Sequence, residues 1–469
     1  MLGRGKTLVL SDLHLGNGGV YDIFAGGHEL PTLIDRFALP GASVFINGDS
    51  VDFLMNEDPL RLDEGRATKQ AETAVASSDT RAVLQALGRV LAAGGDVLIR
   101  LGNHDIELAL SGVQAVLRSA LGQPAETAAR LRFERGDSPA ILQLGNARIL
   151  LAHGEHCDAW NRVDYLHLPG PGGAPSESAA DFEYAPGSRL VKTLMNPLKR
   201  AWGLRLIDLI KPDFQGGVLT ALAVNPQAVR EAFKGSTVQI LRDLNKQSRA
   251  ANTFVDDEGG DDLGLQAAVD GAGLDADERE LLAGMLRPRD GKAGGQSFDF
   301  DFSILQSAQL KLVKAGLRLY SAAHRQAVGQ QGERFYSLQP EADEWSEAQR
   351  MAKKYTADAV IFGHTHAARF QVTDGLAYIN TGTWIKILYL PSPEAPNEEW
   401  EAFLDLARRN PELDPKKGPM IPLSTRFTAA VIEAHAASGG AQISLIESRD
   451  GQLVTLGSQV VGARAEAAQ

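Results

Sequence analysis

Apolar residues along this chain gather in short runs that stop abruptly at polar or glycine-bearing positions. Thr7–Leu10, Val44–Ile46, Val97–Ile99 and Ile149–Leu151 are such runs, and their length and flanking turn residues predict buried strands. Between them apolar positions recur at helical spacing, first Val83, Leu84, Leu87, Val90 and Leu91, then Val113, Val116, Leu117 and Leu121. Strands alternating with helices predict βαβ units and an α/β sheet. The pattern resumes near Glu341, where Trp345, Ala348, Met351, Ala352 and Tyr355 form one face of a helix leading into a strand at Ala359–Phe362. Arg426–Glu433 and Ala441–Ile446, separated by a loop containing Gly439 and Gly440, read as a terminal β-hairpin that completes a second sheet.

The middle of the chain breaks this rhythm. It opens on Pro169-Gly170-Pro171-Gly172-Gly173 and then predicts helices at Leu198–Ile210, Asn225–Phe233, Val238–Leu244 and Ile304–Arg325. A stretch near 255–297, rich in Asp, Glu, Gly and Ala, reads as a mobile acidic segment. The expected organisation is a core in two parts, 1–159 and 341–450, interrupted by a mainly helical insertion or cap over 160–340 and followed by a tail, 451–469. Within the insertion, Leu198, Trp202, Leu206, Leu209 and Ile210 form an apolar stripe beside Lys199, Arg200 and Arg205. Such a helix packs inside a cap or rests on a lipid surface.

Five short motifs stand where strands run out: Asp12-Leu13-His14, Gly48-Asp49-Ser50-Val51-Asp52, Gly102-Asn103-His104-Asp105, His153-Gly154 and Gly363-His364-Thr365-His366. Strand side chains at i and i+2 point the same way, so Asp12 and His14 are expected to face one ion, and His364 and His366 likewise. The two oxygens of a carboxylate such as Asp49 can bridge two cations. Carboxylates, imidazoles and one amide carbonyl suit Mn²⁺, Fe or Zn²⁺ better than Ca²⁺ or Mg²⁺ alone, with Mn²⁺ the expected ion.

Read together, the five blocks resemble the calcineurin-like metallophosphoesterase superfamily, over residues 6–158 and 355–386. The resemblance implies an α/β fold, a β-sandwich of two mixed sheets flanked by helices, here carrying a large insertion. It also implies two divalent metal ions, one bound by Asp12, His14, Asp49 and His366 and the other by Asp49, Asn103, His153 and His364. The implied activity is hydrolysis of a phosphoester or phosphoanhydride bond by a hydroxide bridging the metals, with His104 as general acid. Asp105, or alternatively Asp52, is expected to orient that histidine. Ser11-Asp12-Leu13-His14-Leu15 and a helical insertion are also similar to UDP-diacylglucosamine pyrophosphohydrolases, which are shorter and carry arginine at the position of His104. A DNA-exonuclease branch and a metal-free scaffold share parts of the pattern. Asn380-Thr381-Gly382-Thr383 resembles a segment that follows the last histidine motif in the superfamily.

The remaining histidines, His28, His167, His324 and His435, read as structural, whereas His156, close to Asp158 and Asn161, reads either as structural or as part of a loop lining the site. Composition narrows the partners. The chain has 469 residues, enough for two or three domain-sized units, and a formal net charge of −12, which argues against a nucleic-acid surface. The substrate is expected to be a phosphorylated small molecule or a lipid-linked nucleotide, with peripheral membrane contact open to it. Cys157 is the single cysteine, so internal disulfides and multi-cysteine metal sites are excluded. The start at Met1-Leu2-Gly3-Arg4 runs directly into a strand without a secretion signal, and no apolar run is long enough to span a bilayer. A cytoplasmic location is the expectation.

Overall fold

The computed structural model describes residues 5–158, 160–168, 182–209, 224–225, 337–388, 391 and 395–463. The expected helices at Val238–Leu244 and Ile304–Arg325, nearly all of the one at Asn225–Phe233, the loop at 169–173, the acidic segment and His324 lie outside the described residues. The first elements are β1 (Thr7–Leu10), α1 (Glu29–Asp35), β2 (Ser43–Asn47), α2 (Glu64–Ala76), α3 (Ser78–Ala92) and β3 (Asp96–Arg100). Then come α4 (Ser111–Ala120), α5 (Ala125–Ala128), β4 (Arg132–Glu134), β5 (Ala140–Leu144), β6 (Ala147–Leu151), α6 (Pro186–Leu190) and α7 (Asn196–Trp202). After the undescribed middle follow α8 (Ala342–Tyr355), β7 (Ala359–Phe362), β8 (Ala368–Thr373), β9 (Leu376–Thr381) and β10 (Ile387–Leu388). The chain closes with α9 (Asn397–Arg409), β11 (Leu423–Ser424), β12 (Phe427–His435), β13 (Gly440–Arg449) and β14 (Gln452–Val461).

The chain divides into two units. One comprises Met1–Arg189, Tyr336–Lys386 and Thr425–Gln469, the other Leu190–Phe335 and Ile387–Ser424. In the first unit a seven-stranded mixed sheet has the order β14-β13-β12-β1-β2-β3-β4, and a five-stranded mixed sheet the order β5-β6-β7-β9-β8. β1 and β2 are buried along their whole length, which is why their sequences are continuous apolar runs without alternation. Leu8, Leu10, Val44, Ile46 and Ile99 pack with Leu33, Val83, Leu87, Val113 and Leu117 of the helices. Val9, Phe45 and Leu98 point the other way and share a core with Ile149, Leu151, Ala359 and Ile361 of the five-stranded sheet. Ala348, Met351 and Ala352 of α8 cover Leu150, Val360 and Tyr378 on that sheet's far face. Each large side chain so withdrawn contributes about 1.5–3 kcal/mol.

Three expectations need correction. The terminal hairpin extends the first sheet and not the second, because β12 pairs antiparallel with β1, Val9 opposite Ala430. The stretch assigned to a tail contains β14, Gln452–Val461, which pairs along β13 past a bulge at Leu445/Ile446 and so satisfies the backbone of what would be an open edge. The second unit takes Ile387–Ser424 out of the stretch assigned to the core, since β10 pairs with β11 and Leu388 N–H donates to the Leu209 carbonyl at 2.7 Å.

Within that second unit, the helix expected over Leu198–Ile210 is broken. Gly203, at φ 65°, ends α7 in the left-handed conformation, and a 3₁₀ turn at Arg205–Asp208 follows. Leu198, Leu206 and Leu209 are buried as the apolar stripe requires. Lys199 is buried as well and forms an ion pair with Asp208, so its charge is engaged inside the unit and not offered to a lipid surface.

Candidate metal centre

Every nominated ligand sits just beyond a strand end. Asp12 and His14 follow β1, Asp49 follows β2, Asn103 follows β3, His153 follows β6, and His364 and His366 follow β7. The strand argument for Asp12 with His14 and for His364 with His366 does not hold in detail, because all four lie past their strands. Asp12, His14, Asp49, His364 and His366 have φ of 52°, 49°, 51°, 71° and 61°, in the left-handed region that non-glycine residues seldom adopt. Such conformations cost about 1 kcal/mol or more each and persist only where the surroundings enforce them. Here the strand ends are stitched together: Asp12 N–H donates to Gly48 O at 3.2 Å, and Leu13 and His14 N–H both donate to Asp49 O at 2.9 and 3.0 Å. Glycine is required at 102, where a Cβ would lie 2.6 Å from the Asp49 nitrogen and 2.9 Å from His153 Nε2.

The side chains converge. Among the described residues, Asp12, His14 and His366 form one group able to hold a metal ion, Asp49, His153 and His364 a second, and His14, Asp49 and His104 connect them. His366 Nε2 lies 3.3 Å from Asp12 Oδ1 and 3.0 Å from His14 Nε2. Asp49 Oδ2 is 3.3 Å from His153 Nε2 and 3.9 Å from His14 Nε2, while its Oδ1 accepts the His104 N–H at 2.9 Å. One oxygen is thus anchored to the backbone and the other faces both groups. Asn103 donates Nδ2 to Asn161 at 3.4 Å, and its buried Oδ1 has no hydrogen-bond partner.

Surrounding groups fix the imidazoles. His153 Nδ1 lies 2.8 Å from the Asn47 carbonyl, which can only accept, so Nδ1 carries a proton and Nε2 faces Asp49. His14 Nδ1 lies 2.8 Å from Asp52 Oδ2, which turns His14 Nε2 toward His366. His364 N–H donates to both Asp12 oxygens at 3.1 and 2.9 Å, and His364 Nε2 lies 3.2 Å from Asp158 Oδ2. The segment Asn380-Thr381-Gly382-Thr383 backs the site. Asn380 Nδ2 donates to Gly363 O at 2.7 Å, Ser11 and Thr381 hydroxyls lie 2.6 Å apart, and Thr383 Oγ1 donates to Asp12 O at 3.0 Å. These donors and acceptors, an orphaned amide oxygen included, are of the kinds that hold divalent metal ions.

Compared with known proteins, the chain matches no protein-family model and no curated protein. Among solved structures it is similar to the phosphopantetheinyl hydrolase PptH from Mycobacterium tuberculosis, at 12% identity and TM-score 0.24, over 84% of this chain and 100% of that one. It is also similar to a Vps29 double mutant from Entamoeba histolytica, at 14% identity and TM-score 0.15, over 26% of this chain. The match spans 50% of the length of that Vps29 structure. Neither likeness carries weight at those TM-scores, and the chemistry rests on the chain's own residues.

His104 keeps 16% of its side-chain surface exposed, beside nominated ligands that are buried apart from the partly exposed His364. Its orienting partner is Asp52 and not Asp105. Asp52 Oδ2 lies 3.1 Å from His104 Nδ1, and Oδ1 accepts the N–H groups of Leu54 at 2.9 Å and Met55 at 3.2 Å. Asp105 instead turns both oxygens inward, to Gly102 N–H at 2.6 Å and to Ser50 N–H and hydroxyl at 2.7 and 2.8 Å. Adjacency in sequence favoured Asp105, but the strand ends bring Asp52 across from β2. Asp105→Asn should therefore act on stability more than on turnover, because its amide would point an N–H at a donor. A loss of about 1–3 kcal/mol in urea unfolding is expected, and an unaltered midpoint would contradict it.

Charge within the centre is strongly coupled. Burial opposes ionisation of Asp52, yet His104 and His14 outweigh it and hold this carboxyl well below the usual range. Burial likewise opposes Asp12, which His366 and His153 nevertheless bring down to about 2. Burial and then the Asp49 charge push Asp105 up to about 6. Burial opposes a charged His153, but Asp49, Asp12 and Glu155 overcome it and raise this imidazole from 6.5 to about 10. A proton is then held where a cation would bind, and the two compete. Apparent affinity for a divalent cation should rise with pH by up to about tenfold per unit between about pH 6 and pH 9. Competition against a chromophoric chelator measures it; a flat profile would show that His153 is no ligand.

Two of the remaining described histidines have partners of their own away from the centre. His167 pairs with Asp164 at 2.6 Å, His435 with the Ser438 hydroxyl at 2.9 Å, and His28 is exposed at the start of α1. His156 turns away from the ligands toward Glu347, so it is not a wall of this centre. The Cys157 thiol is pushed up, first by loss of solvent around the sulfur and then by the Glu347 and Glu155 carboxylates, although the residue as a whole is exposed. Asp158 and Asn161, which touch His364 and Asn103, were visible in sequence only as neighbours of His153. Among the described residues no helix is long and apolar enough to cross a membrane.

Proposed function

We propose that this chain is a metallophosphoesterase that uses a binuclear metal centre to hydrolyse a phosphoester or phosphoanhydride bond. The supporting observation is the convergence of Asp12, His14, Asp49, His153, His364 and His366, with one Asp49 oxygen toward both His153 and His14 and the buried Asn103 amide oxygen left without a hydrogen-bond partner. The five blocks of the calcineurin-like metallophosphoesterase pattern agree with that reading, as do the two mixed sheets sharing one core, which suit the expected sandwich.

When bound, two divalent cations, with Mn²⁺ first among them and Fe or Zn²⁺ as alternatives, supply positive charge for phosphoryl oxygens and acidify a water molecule. The chain's residues do the rest. His14, His153, His364 and His366 present imidazoles whose orientations are set by Asp52, the Asn47 carbonyl, Asp158 and Asp12. Asp52 holds His104 with Nδ1 inward, and the ring's other nitrogen gives its proton to the leaving-group oxygen. The backbone hydrogen bonds that enforce the left-handed conformations of Asp12, His14 and Asp49 keep the donors from relaxing apart.

Metal analysis of the purified protein, together with hydrolysis of a chromogenic phosphodiester and a chromogenic phosphomonoester, tests the reading. At least two equivalents of divalent metal per chain and hydrolysis abolished by chelation are expected. Protein that binds no metal at saturating Mn²⁺ would refute it.

A further inference from the structure

A second group of metal-binding side chains lies outside this centre. His156, Cys157 and Glu347 bring one imidazole nitrogen, one sulfur and one carboxylate oxygen within 4.8 Å of one another. His156 and Cys157 belong to a 3₁₀ turn, Glu155–Cys157, and Glu347 to α8. His156 Nε2 lies 3.3 Å from Glu347 Oε1 and 3.4 Å from Cys157 Sγ. Zinc bonds of about 2.0–2.3 Å at tetrahedral angles separate ligand atoms by roughly 3.3–3.8 Å, so both spacings already match the edges of a tetrahedron. We infer that His156, Cys157 and Glu347 bind a further divalent cation of the zinc class, with the fourth position open to solvent.

The donor set selects the ion. A sulfur ligand disfavours Mg²⁺, Ca²⁺ and Mn²⁺ and suits Zn²⁺, Co²⁺ and Cu²⁺. Cys157 is exposed and can be reached from solvent. A coordinated thiol gives up its proton to the ion's charge, so the high thiol is no obstacle. Arg350 competes for the same carboxylate, donating Nε to Glu347 Oε2 at 2.6 Å and Nη2 to Oε1. A carboxylate offers about four lone-pair directions, and the Arg350 side chain is 62% exposed and can yield. His156 also stands edge-on to Phe362, ring centroids 5.9 Å apart, beside the Gly363-His364 turn. The cation therefore ties the turn that follows His153 to the helix that precedes β7, bracing the loop whose Asp158 holds His364.

Cobalt provides a readout independent of hydrolysis. Thiolate-to-cobalt charge transfer absorbs in the near ultraviolet, the seven-ligand centre contains only nitrogen and oxygen donors, and Cys157 is the chain's single cysteine. Titration of the reduced full-length protein with Co²⁺ should develop this band to the amplitude of one thiolate–cobalt centre per chain, and Zn²⁺ should bleach it. Cys157→Ser should abolish the band while leaving the visible cobalt bands of the other centre. Glu347→Gln and His156→Ala should each weaken the apparent affinity by about tenfold or more. Far-ultraviolet circular dichroism confirms folding, and if His156→Ala unfolds, Glu347→Gln decides. No band at saturating Co²⁺ in folded protein would overturn the inference, as would a Glu347→Gln variant that binds as tightly as the parent. Neither result depends on whether the chain hydrolyses phosphoesters.

Discussion

Asp49→Asn is expected to lower kcat by about 10³-fold or more, some 4 kcal/mol of transition-state stabilisation, and to reduce metal content below two ions per chain. The substitution preserves shape. Its remaining oxygen can still accept the His104 N–H, now at 2.9 Å, so the backbone around Gly102 and Asn103 need not move. What changes is the inward atom: a neutral amide nitrogen replaces the anionic oxygen that lies 3.3 Å from His153 Nε2 and 3.9 Å from His14 Nε2. An amide nitrogen has no lone pair to share between two cations. Phosphodiester hydrolysis and metal analysis on the same preparation decide the matter. Parental activity in this variant would eliminate Asp49 as the bridge.

Asp52→Asn should be nearly as damaging, although Asp52 is nominated as no metal ligand. One oxygen serves both His14 Nδ1 at 2.8 Å and His104 Nδ1 at 3.1 Å, and the other takes the N–H groups of Leu54 and Met55. Whichever way an asparagine is turned, its NH₂ meets two donors. If it faces the imidazoles, His14 and His104 must change tautomer, which moves the lone pair of one and the acidic proton of the other. Losing a carboxylate that fixes a catalytic tautomer costs up to about 10⁴-fold in turnover elsewhere, and about 10²–10³-fold is expected here. The signature is a changed acidic or basic limb in the pH–rate profile together with weaker metal retention. A variant with lower activity but an unchanged profile and full metal content would assign Asp52 a merely structural place.

Much of the first unit was legible because burial writes directly into sequence. β1, β2, β3 and β6 fall on the apolar runs that predicted them, and α3, α4 and α8 on their helical stripes. β14 was hidden: most of its side chains are exposed or half-buried, so no alternation marks it, and its place depends on the edge that β13 presents. The hairpin was found, but its sheet was not, since pairing with β1 links residues more than four hundred positions apart. Helical periodicity ran through Gly203 because the stripe stays buried on both sides of the break.

The same division runs through the site. The seven metal-ligating candidates and His104 were named from the order of the five blocks and their resemblance to a known pattern, because few side-chain types can hold a cation. Which carboxylate faces which imidazole was not fixed by that order. Asp105 stands next to His104 in sequence yet bonds to Gly102 and Ser50, while Asp52 reaches His104 from the neighbouring strand end. The nearest neighbour along a backbone points wherever its φ and ψ direct it. Only the packing of the two sheets, with five of the nominated residues held at positive φ, decides which groups meet.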